Sequence, residues 1–320
     1  MPSPRICIIL VNWNGLRDTM ECLDSIRKLD YKLFSTLVVD NGSIDQSVSI
    51  LRERYPEVPV LSLPENRGFA GGNNAGLEWG LKKPFQWFLL LNNDTTVDPQ
   101  LLRALVQAAE SQPKAGILGT KIYRYNDPHR IDHCGGMWDP KIGDFGSLWA
   151  NLIDDGASYE EMRPVDYVCG AGLFVHRSVL ESIGLLEPRF FLFWEETDLC
   201  YRAQRKGFEV WTAPQAKIWH KVSASFTGGK PHSHYFWWRS RLLWIERNLP
   251  HPEQKRLLKE VVRPDLWKLA RHTLLKTLTY PLNRGPEAAQ KLKRLRAGLL
   301  GVLHYYMGRF GNCPSWITKK

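Results

Sequence analysis

The chain is predicted to fold as an α/β protein with a mixed, mainly parallel sheet flanked by helices and followed by a basic helical extension, and three observations predict it. Apolar runs rich in Val, Ile and Leu recur at 6–11 (ICIILV), 36–40 (TLVVD), 58–63 (VPVLSL) and 87–92 (WFLLLN). They lack the in–out alternation of half-exposed strands, as strands covered on both faces do. The intervals 16–29, 44–55, 70–81 and 99–111 are each long enough for a crossover helix, which makes a βαβ series with right-handed connections. Each run also ends in a polar motif, at the edge where open α/β sheets bind ligands.

Beyond about residue 115 the strand candidates shorten and Gly-rich turns intervene: LGTKIYRY, HCGGMWDP, DFGSLW and then DYVCGAGLFVHR, whose centre reads as buried. Mixed strands extending the same sheet are expected there. A last strand pair, GFEVW (207–211) and AKIWHK (216–221), closes the region, and Gly228 and Gly229 mark the boundary. The expected domains are therefore 1–229 and 230–320. In the second, Trp267, Ala270, Leu274 and Leu278 share one helical face while Lys268, His272 and Lys276 line another. Leu292, Leu295, Leu299, Val302 and Tyr306 repeat the pattern beside Lys291, Lys293, Arg294 and Arg296. Residues 230–320 hold 19 Lys and Arg against 5 Asp and Glu, a net +14, whereas the first 229 hold 24 against 28, a net −4. Two basic amphipathic helices behind the aromatic-basic stretch YFWWRSRLLWIER fit the face of an anionic bilayer. Packing on the first domain with solvated basic faces is the other arrangement such helices adopt.

At 320 residues and 43% hydrophobic, the chain can bury one large core or two modest ones, which excludes a fibrous or wholly disordered protein. Cys7, Cys22, Cys134, Cys169, Cys200 and Cys313 form no CxxC pair. That fits neither a zinc site nor a disulfide framework and points to a reducing compartment. Residues 1–5 run straight into the first strand, leaving no room for a signal peptide, and no run reaches the ~18 apolar residues of a spanning helix. A cytoplasmic location is expected.

The acids Glu195, Glu196 and Asp198 stand directly behind Phe190, Phe191, Leu192, Phe193 and Trp194 in the run FFLFWEETDLCYR. Carboxylates are seldom buried unless paired, so one held among such apolar neighbours suits a proton acceptor. An acidic first turn favoured by the helix dipole is the structural alternative. Asp40, ending the second strand in VVDNGSIDQS, can accept from the imide N–H of a uracil or thymine ring or close an Asx turn with Asn41 and Gly42. The stretch from Asn66 to Gly76, with Arg67, Gly72, Asn73 and Asn74, resembles a phosphate cradle, yet it is neither GxGxxG nor GxxxxGK[ST]. That argues against a dinucleotide site or a P-loop; Asn73 and Asn74 also suit helix caps. Asn92, Asn93 and Asp94 follow the fourth strand, where a carboxylate can hold a hard divalent cation against a diphosphate. His220 is a second ligand candidate or a structural histidine.

In order and spacing, VNWNG, VVDNGSIDQS, NRGFAGGNNAG, LNNDTTVD, CGAGLFVHR and FWEETDLCYR resemble the family 2 glycosyltransferases of GT-A fold, in particular the rhamnosyltransferase-like branch. The resemblance covers residues 6 to about 247. It implies a nucleotide-diphospho-sugar donor, dTDP- or UDP-linked with dTDP-rhamnose favoured, inversion at the anomeric carbon and a divalent cation, Mg²⁺ or Mn²⁺. Carried over by residue, it puts Asp40 on the nucleobase with Asn12 and Asn14 near the nucleoside, Asn66, Arg67, Gly72, Asn73 and Asn93 around the donor, and Asp94 and His220 on the metal. The family's first metal acid is an amide here, Asn92. Glu196, second of the acidic pair, takes the role of base, with Glu195 beside it and Asp198 positioning the helix or meeting the acceptor. Asp132, His133 and Trp194 fall near sugar and acceptor. The acceptor implied is a saccharide, polyprenyl-linked given the basic tail, with peripheral attachment to the inner face of the cell membrane and no nucleic-acid partner. A non-catalytic nucleotide-sugar binder and a basic nucleic-acid-binding protein are the competing classes.

Overall fold

The computed structural model describes residues 3–221, 229–282 and 285–318; Gly228 of the expected boundary lies outside them. The first elements are β1 (Ile6–Asn12), α1 (Leu16–Ile26), β2 (Phe34–Asp40), α2 (Ser47–Arg54), β3 (Val60–Ser62), α3 (Gly68–Leu81), β4 (Trp87–Asn92), β5 (Thr95–Val97) and α4 (Leu101–Ser111). Next come β6 (Ala115–Arg124), β7 (Asp127–His133), β8 (Gly136–Asp139), β9 (Asp144–Ser147), β10 (Gly172–His176), α5 (Arg177–Ile183), α6 (Glu195–Arg205) and β11 (Glu209–His220). The remainder is helical: α7 (Pro231–Asn248), α8 (His251–Leu257), a π turn, α9 (Arg263–Thr279), α10 (Pro286–Tyr306) and α11 (Ser315–Thr318).

Nine strands make one sheet in the order β3-β2-β1-β4-β10-β6-β11-β5, with β7 on β6; β8 and β9 pair separately. β1 to β4 run parallel, β10 is antiparallel to β4 and β6, and β11 is parallel to β6. Both faces of this sheet are covered, which is why β1 reads as an unbroken apolar run. Ile6, Ile8 and Leu10 join the core under α1 and α4, with Leu23, Ile26, Leu101 and Leu105. Cys7 and Ile9 join the opposite core with Leu77 of α3, Val179 of α5 and Leu199 of α6.

The glycines read as a phosphate cradle have a packing function. They recur every fourth residue along one face of α3, and a Cβ would stand 2.7 Å from Val11 at Gly72, 2.5 Å from Ile9 at Gly76 and 2.6 Å from Phe88 at Gly80. Gly72 therefore lies in the helix–sheet contact, with Asn41 Nδ2 3.2 Å from the same Cβ position. The expected pair of final strands is one strand, β11. Pro214, Gln215 and Ala216 are extra residues between Ala213, opposite Thr120, and Lys217, opposite Lys121. Proline cannot donate to the ladder, so it stands at a bulge while the strand carries on; read in sequence, TAPQ had the look of a turn.

The chain divides into two compact units, one drawn from Met1–Met137, Gly146–Glu187 and Glu196–Val222, the other from Trp138–Phe145, Pro188–Glu195 and Ser223–Lys320. In the second, the aromatic-basic stretch expected at a bilayer is the core: Tyr235, Phe236, Trp238, Leu242, Leu243 and Trp244 are buried. Two of its three arginines, Arg239 and Arg241, are buried with it. Arg239 lies over the rings of Tyr235 and Phe236, and Arg241 donates to the carbonyls of Ile142 (2.6 Å) and Gly143 (3.0 Å) and pairs with Asp265 (3.3 Å). A nucleic-acid platform would need these rings exposed. Against α7 packs α10, so closely that a Cβ on Gly301 would meet the Tyr235 carbonyl at 2.2 Å.

The same unit contains an unusual turn. Phe191, Phe193 and Trp194 take φ of 64°, 67° and 74°, the left-handed region that bulky side chains avoid. Two side chains of α7 hold its carbonyls: Ser240 Oγ donates to Phe190 (3.2 Å) and Leu192 (3.1 Å), and Arg239 Nη2 to Phe190 (3.4 Å).

The close approach of α3 is open to direct test. Gly76→Val forces two methyl groups into the space occupied by Ile9, and overpacking of this kind costs about 1–3 kcal/mol. Denaturant unfolding of the variant is expected to show that loss; wild-type stability would contradict the packing described.

Candidate active site

Register builds the rim. Asn12 pairs directly with Asp40, and Val11 with Asn92, so three polar strand ends emerge side by side. Asn12 is fully buried and its amide spends all four of its hydrogen bonds internally. Nδ2 donates to Asp40 Oδ1 (2.8 Å) and Ser43 Oγ (3.2 Å), and Oδ1 accepts from Gly15 N (3.2 Å) and Thr19 Oγ1 (2.8 Å). It is the knot that holds Asp40 in place. Asp40 Oδ2 accepts from Ser43 N (3.1 Å), closing the Asx-type turn, and each of its oxygens keeps a further lone pair. Asn14, itself left-handed at φ 51°, accepts from Ile44 N (2.9 Å) and is exposed.

Asn41, which the sequence reading left to the turn, ties the third strand's loop to the second. Its amide donates to Asn66 Oδ1 (3.1 Å) and the Gly68 carbonyl (2.9 Å) and accepts from Arg67 N (2.9 Å). Arg67 is left with an exposed side chain at the mouth of α3. Asn73 is buried and donates to the Phe69 carbonyl one turn back, while Asn74 both donates to and accepts from the backbone of Leu186 (2.8 and 3.0 Å). Neither caps the helix.

Asn93 and Asp94 form the two-residue turn between β4 and β5. Asn93 donates to Thr19 Oγ1 (2.8 Å), whereas Asp94 Oδ1 meets His220 Nε2 at 3.0 Å and Asn92 Nδ2 lies 3.2 Å from the same nitrogen. Burial pushes the Asp94 carboxyl up, but His220, its own backbone amide and Lys221 outweigh that and hold it below the usual carboxylate range. The pair is thus an anionic oxygen donor beside an imidazole at the sheet rim. Two such ligands suit a divalent cation that takes its remaining ligands from diphosphate and water; among the described residues no group of three His, Cys, Asp or Glu could hold a metal. Lys221, also missed in sequence, locks this corner by pairing with Asp18 and Glu21 of α1 (both 2.6 Å).

Burial separates the three acids. Glu195 is 3% exposed and Asp198 0%, while Glu196 keeps partial access to solvent. Asp198 forms an ion pair with Arg202 (2.7 Å), which donates onward to the carbonyls of Ile183 (2.7 Å) and Leu185 (2.8 Å). This pair anchors α6 to the segment that ends α5. Glu196 lies against the start of β10, where a Cβ on Gly170 would stand 3.9 Å from the Glu196 Cβ. The next residue, Ala171, accepts from Asn92 N (3.1 Å). Glu196 and Asp94 therefore belong to one rim, joined through Gly170, Ala171 and Asn92. A cavity of about 500 Å³ lined by Phe34, Thr36, Tyr55 and Trp79 lies at the amino end of β2, away from this chemistry.

The acceptor-side candidates divide differently. Trp194 is buried among Phe145, Trp237 and Trp244. Asp132 faces Arg124 at 3.6 Å. His133 has both ring nitrogens engaged: Nδ1 accepts from Gly135 N (3.1 Å), so Nε2 carries the proton, 2.9 Å from the Tyr167 hydroxyl. Burial lowers its pKa from 6.5 to about 4. Protonation is thus harder in the folded than the unfolded chain, and stability is lost as pH falls from about 6.5 to about 4, by at most about 3 kcal/mol. His133→Gln is expected to flatten that part of the stability–pH curve in denaturant titrations. An unchanged slope would rule out His133 as its source.

The chain is similar to glycosyltransferases of known sequence and structure. Residues 7–184 match the model of Glycosyl transferase family 2. The N-acetylglucosaminyl-diphospho-decaprenol L-rhamnosyltransferase of Mycobacterium tuberculosis is 28% identical over 252 residues, 67% of this chain and 80% of that protein. The low-salt glycan biosynthesis hexosyltransferase Agl10 of Haloferax volcanii is 26% identical over 208 residues, 64% of this chain and 63% of its own. Among solved structures, the mannosyltransferase PcManGT of Pyrobaculum calidifontis, in complex with GDP-Man and Mn²⁺, superposes with a TM-score of 0.58 at 15% identity, covering 96% of this chain and 88% of that one. S. aureus TarS 1-349 in complex with UDP-GlcNAc gives 0.53 at 14% identity, covering 95% and 92%. The fold is that of the GT-A glycosyltransferases, and the chain belongs to glycosyltransferase family 2.

Proposed function

We propose that this chain is an inverting, metal-assisted glycosyltransferase. In this reading it moves a hexose, rhamnose from dTDP-rhamnose by preference, to a hydroxyl of a saccharide carried on a polyprenyl diphosphate. The work takes place at the cytoplasmic face of the membrane, in cell-surface polysaccharide synthesis. One observation carries the reading: Glu196, the accessible acid of its trio, shares a rim with the Asp94–His220 pair and with Asp40. The name of the mycobacterial relative supports both the sugar and the lipid-linked acceptor.

Each residue has a task in that reaction. Asp40, immobilised by Asn12, accepts from the imide N–H of the pyrimidine, while Asn14, Asn66 and Arg67 line the nucleotide's path. Glu196 takes the proton of the acceptor hydroxyl as its oxygen bonds to the anomeric carbon and the bond from that carbon to the diphosphate oxygen breaks. Attack from the face opposite the leaving group inverts the configuration in one displacement. Asp94 and His220 would hold a divalent cation, whose charge offsets that of the diphosphate. Asn92 in place of an acid leaves the site one negative charge poorer, which weakens the hold on the cation without removing it. Asp198 and Arg202 keep α6, and Glu196 with it, in place.

The base assignment is tested by Glu196→Gln, an isostere that cannot accept the proton. Turnover is expected to fall ~100-fold or more, with donor affinity unchanged in thermal-shift titrations against dTDP-, UDP- and GDP-sugars. Near-normal turnover would overturn it.

The cation site has its own test, independent of catalysis. Calorimetric titration of Mn²⁺ in the presence of the nucleoside diphosphate is expected to lose its signal in Asp94→Ala and weaken ~10-fold or more in His220→Ala, since a single ligand contact is worth at least one decade. Equal binding by both variants and wild type would remove these residues from the site.

A further inference from the structure

Helix α9 has two apolar faces, and the described residues cover one of them. Val262 just before the helix, Leu269 and Thr273 are buried, with Leu266 and Thr277 partly so; spaced by three and four, they lie on one side. Leu269 reaches α10, coming within 3.4 Å of the Cβ position of Gly298. The hydroxyls on that side are satisfied within the helix, Thr273 donating to the Leu269 carbonyl (2.7 Å) and Thr277 to that of Thr273 (2.8 Å). A second series with the same spacing, Arg263, Trp267, Arg271, Leu274 and Leu278, faces away from it. There Trp267 is 66% exposed, Leu274 60% and Leu278 65%.

An outward helix face is ordinarily polar, and single exposed apolar residues need no account. Three large ones aligned over about 16 Å of helix form a surface of another kind. Its charge narrows the choice of partner. Arginines alternate with the apolar residues, Arg271 over the ring of Trp267 at 5.9 Å, with Lys268 and Lys276 also exposed on the helix. The one acid of α9, Asp265, is paired with Arg241. A second copy of so basic a face would be repelled, and a nucleic acid would leave the leucines in water.

We infer that this face of α9 is a membrane-docking surface for the headgroup region of an anionic bilayer. Trp267, Leu274 and Leu278 enter the boundary between headgroups and acyl chains, while the stems of Arg263 and Arg271 lie along it and their guanidinium groups reach lipid phosphate. Tryptophan is enriched at that depth. The inference rests on the proposed lipid-linked acceptor, whose diphosphate sits at the same level.

The test is co-sedimentation of the full chain with phosphatidylglycerol-containing vesicles against pure phosphatidylcholine vesicles. Binding is expected to the first, to weaken with salt, and to fall at least about 10-fold in the Leu274→Glu, Leu278→Glu double variant. Arg271→Glu should weaken it by several-fold. Because these side chains are exposed, the thermal midpoint and transfer to a short water-soluble acceptor should match wild type. Equal binding by the double variant overturns the inference, as does concentration-dependent self-association that the variant abolishes, since the face would then cover a second copy. Vesicle binding through α9 without transfer from any donor would leave the surface standing and defeat the reaction; transfer without vesicle binding would do the reverse.

Discussion

The in-register parallel pairing of β1 with β2 and β4 is the constraint on which the rest depends. It sets Asn12 opposite Asp40 and brings Asn92 to the same edge. A one-residue slip would turn every side chain of β1 to the other face and exchange the two cores. The side-chain amide of Asn12 then turns this register into a site. By bonding β2, the Ser43 loop and the start of α1 at once, it fixes a carboxylate whose position would otherwise depend on a loop. Groups aimed in advance at their ligands lose little entropy on binding.

The parallel half of the fold was legible because burial on both faces leaves a simple mark, an apolar run of strand length between two helices. The boundaries were less so. Asp45 accepts from Ser47 N and delays α2, and Asn66 accepts from Gly68 N and starts α3 early; such local bonds have no periodicity. β11 was misread because Pro214 signals a turn in sequence and permits a bulge in a sheet. The proposed site residues Asp40, Asp94, His220 and Glu196 were singled out by strand-end position and family resemblance. Burial could not be read. That Asp198 is sealed depends on Arg202 and on two carbonyls some seventeen to nineteen residues earlier.

Charge is placed with similar indifference to composition. Lys121 is wholly buried in β6, yet it pairs with Asp154 (2.8 Å) and Glu160 (2.6 Å), with Tyr123 also donating to Asp154. Removing one partner of such a cluster leaves a charge stranded in low dielectric, so the long segment between β9 and β10 is tied to β6, an interior strand of the sheet. The tail's excess of cations is likewise partly interior. Arg239 and Arg241 belong to the core of the second unit. A net charge read from sequence overstates what a partner meets.

The left-handed aromatic turn before α6 has a consequence for how the protein is made. Each non-glycine residue in that conformation costs roughly 1–2 kcal/mol, and the carbonyls on either side of it are held by Arg239 and Ser240, some fifty residues further along the chain. Until the ribosome has released α7, the segment Phe190–Trp194 lacks the two side chains that hold its carbonyls in this turn. The turn therefore takes its final form late in synthesis, after every strand of the sheet has left the ribosome.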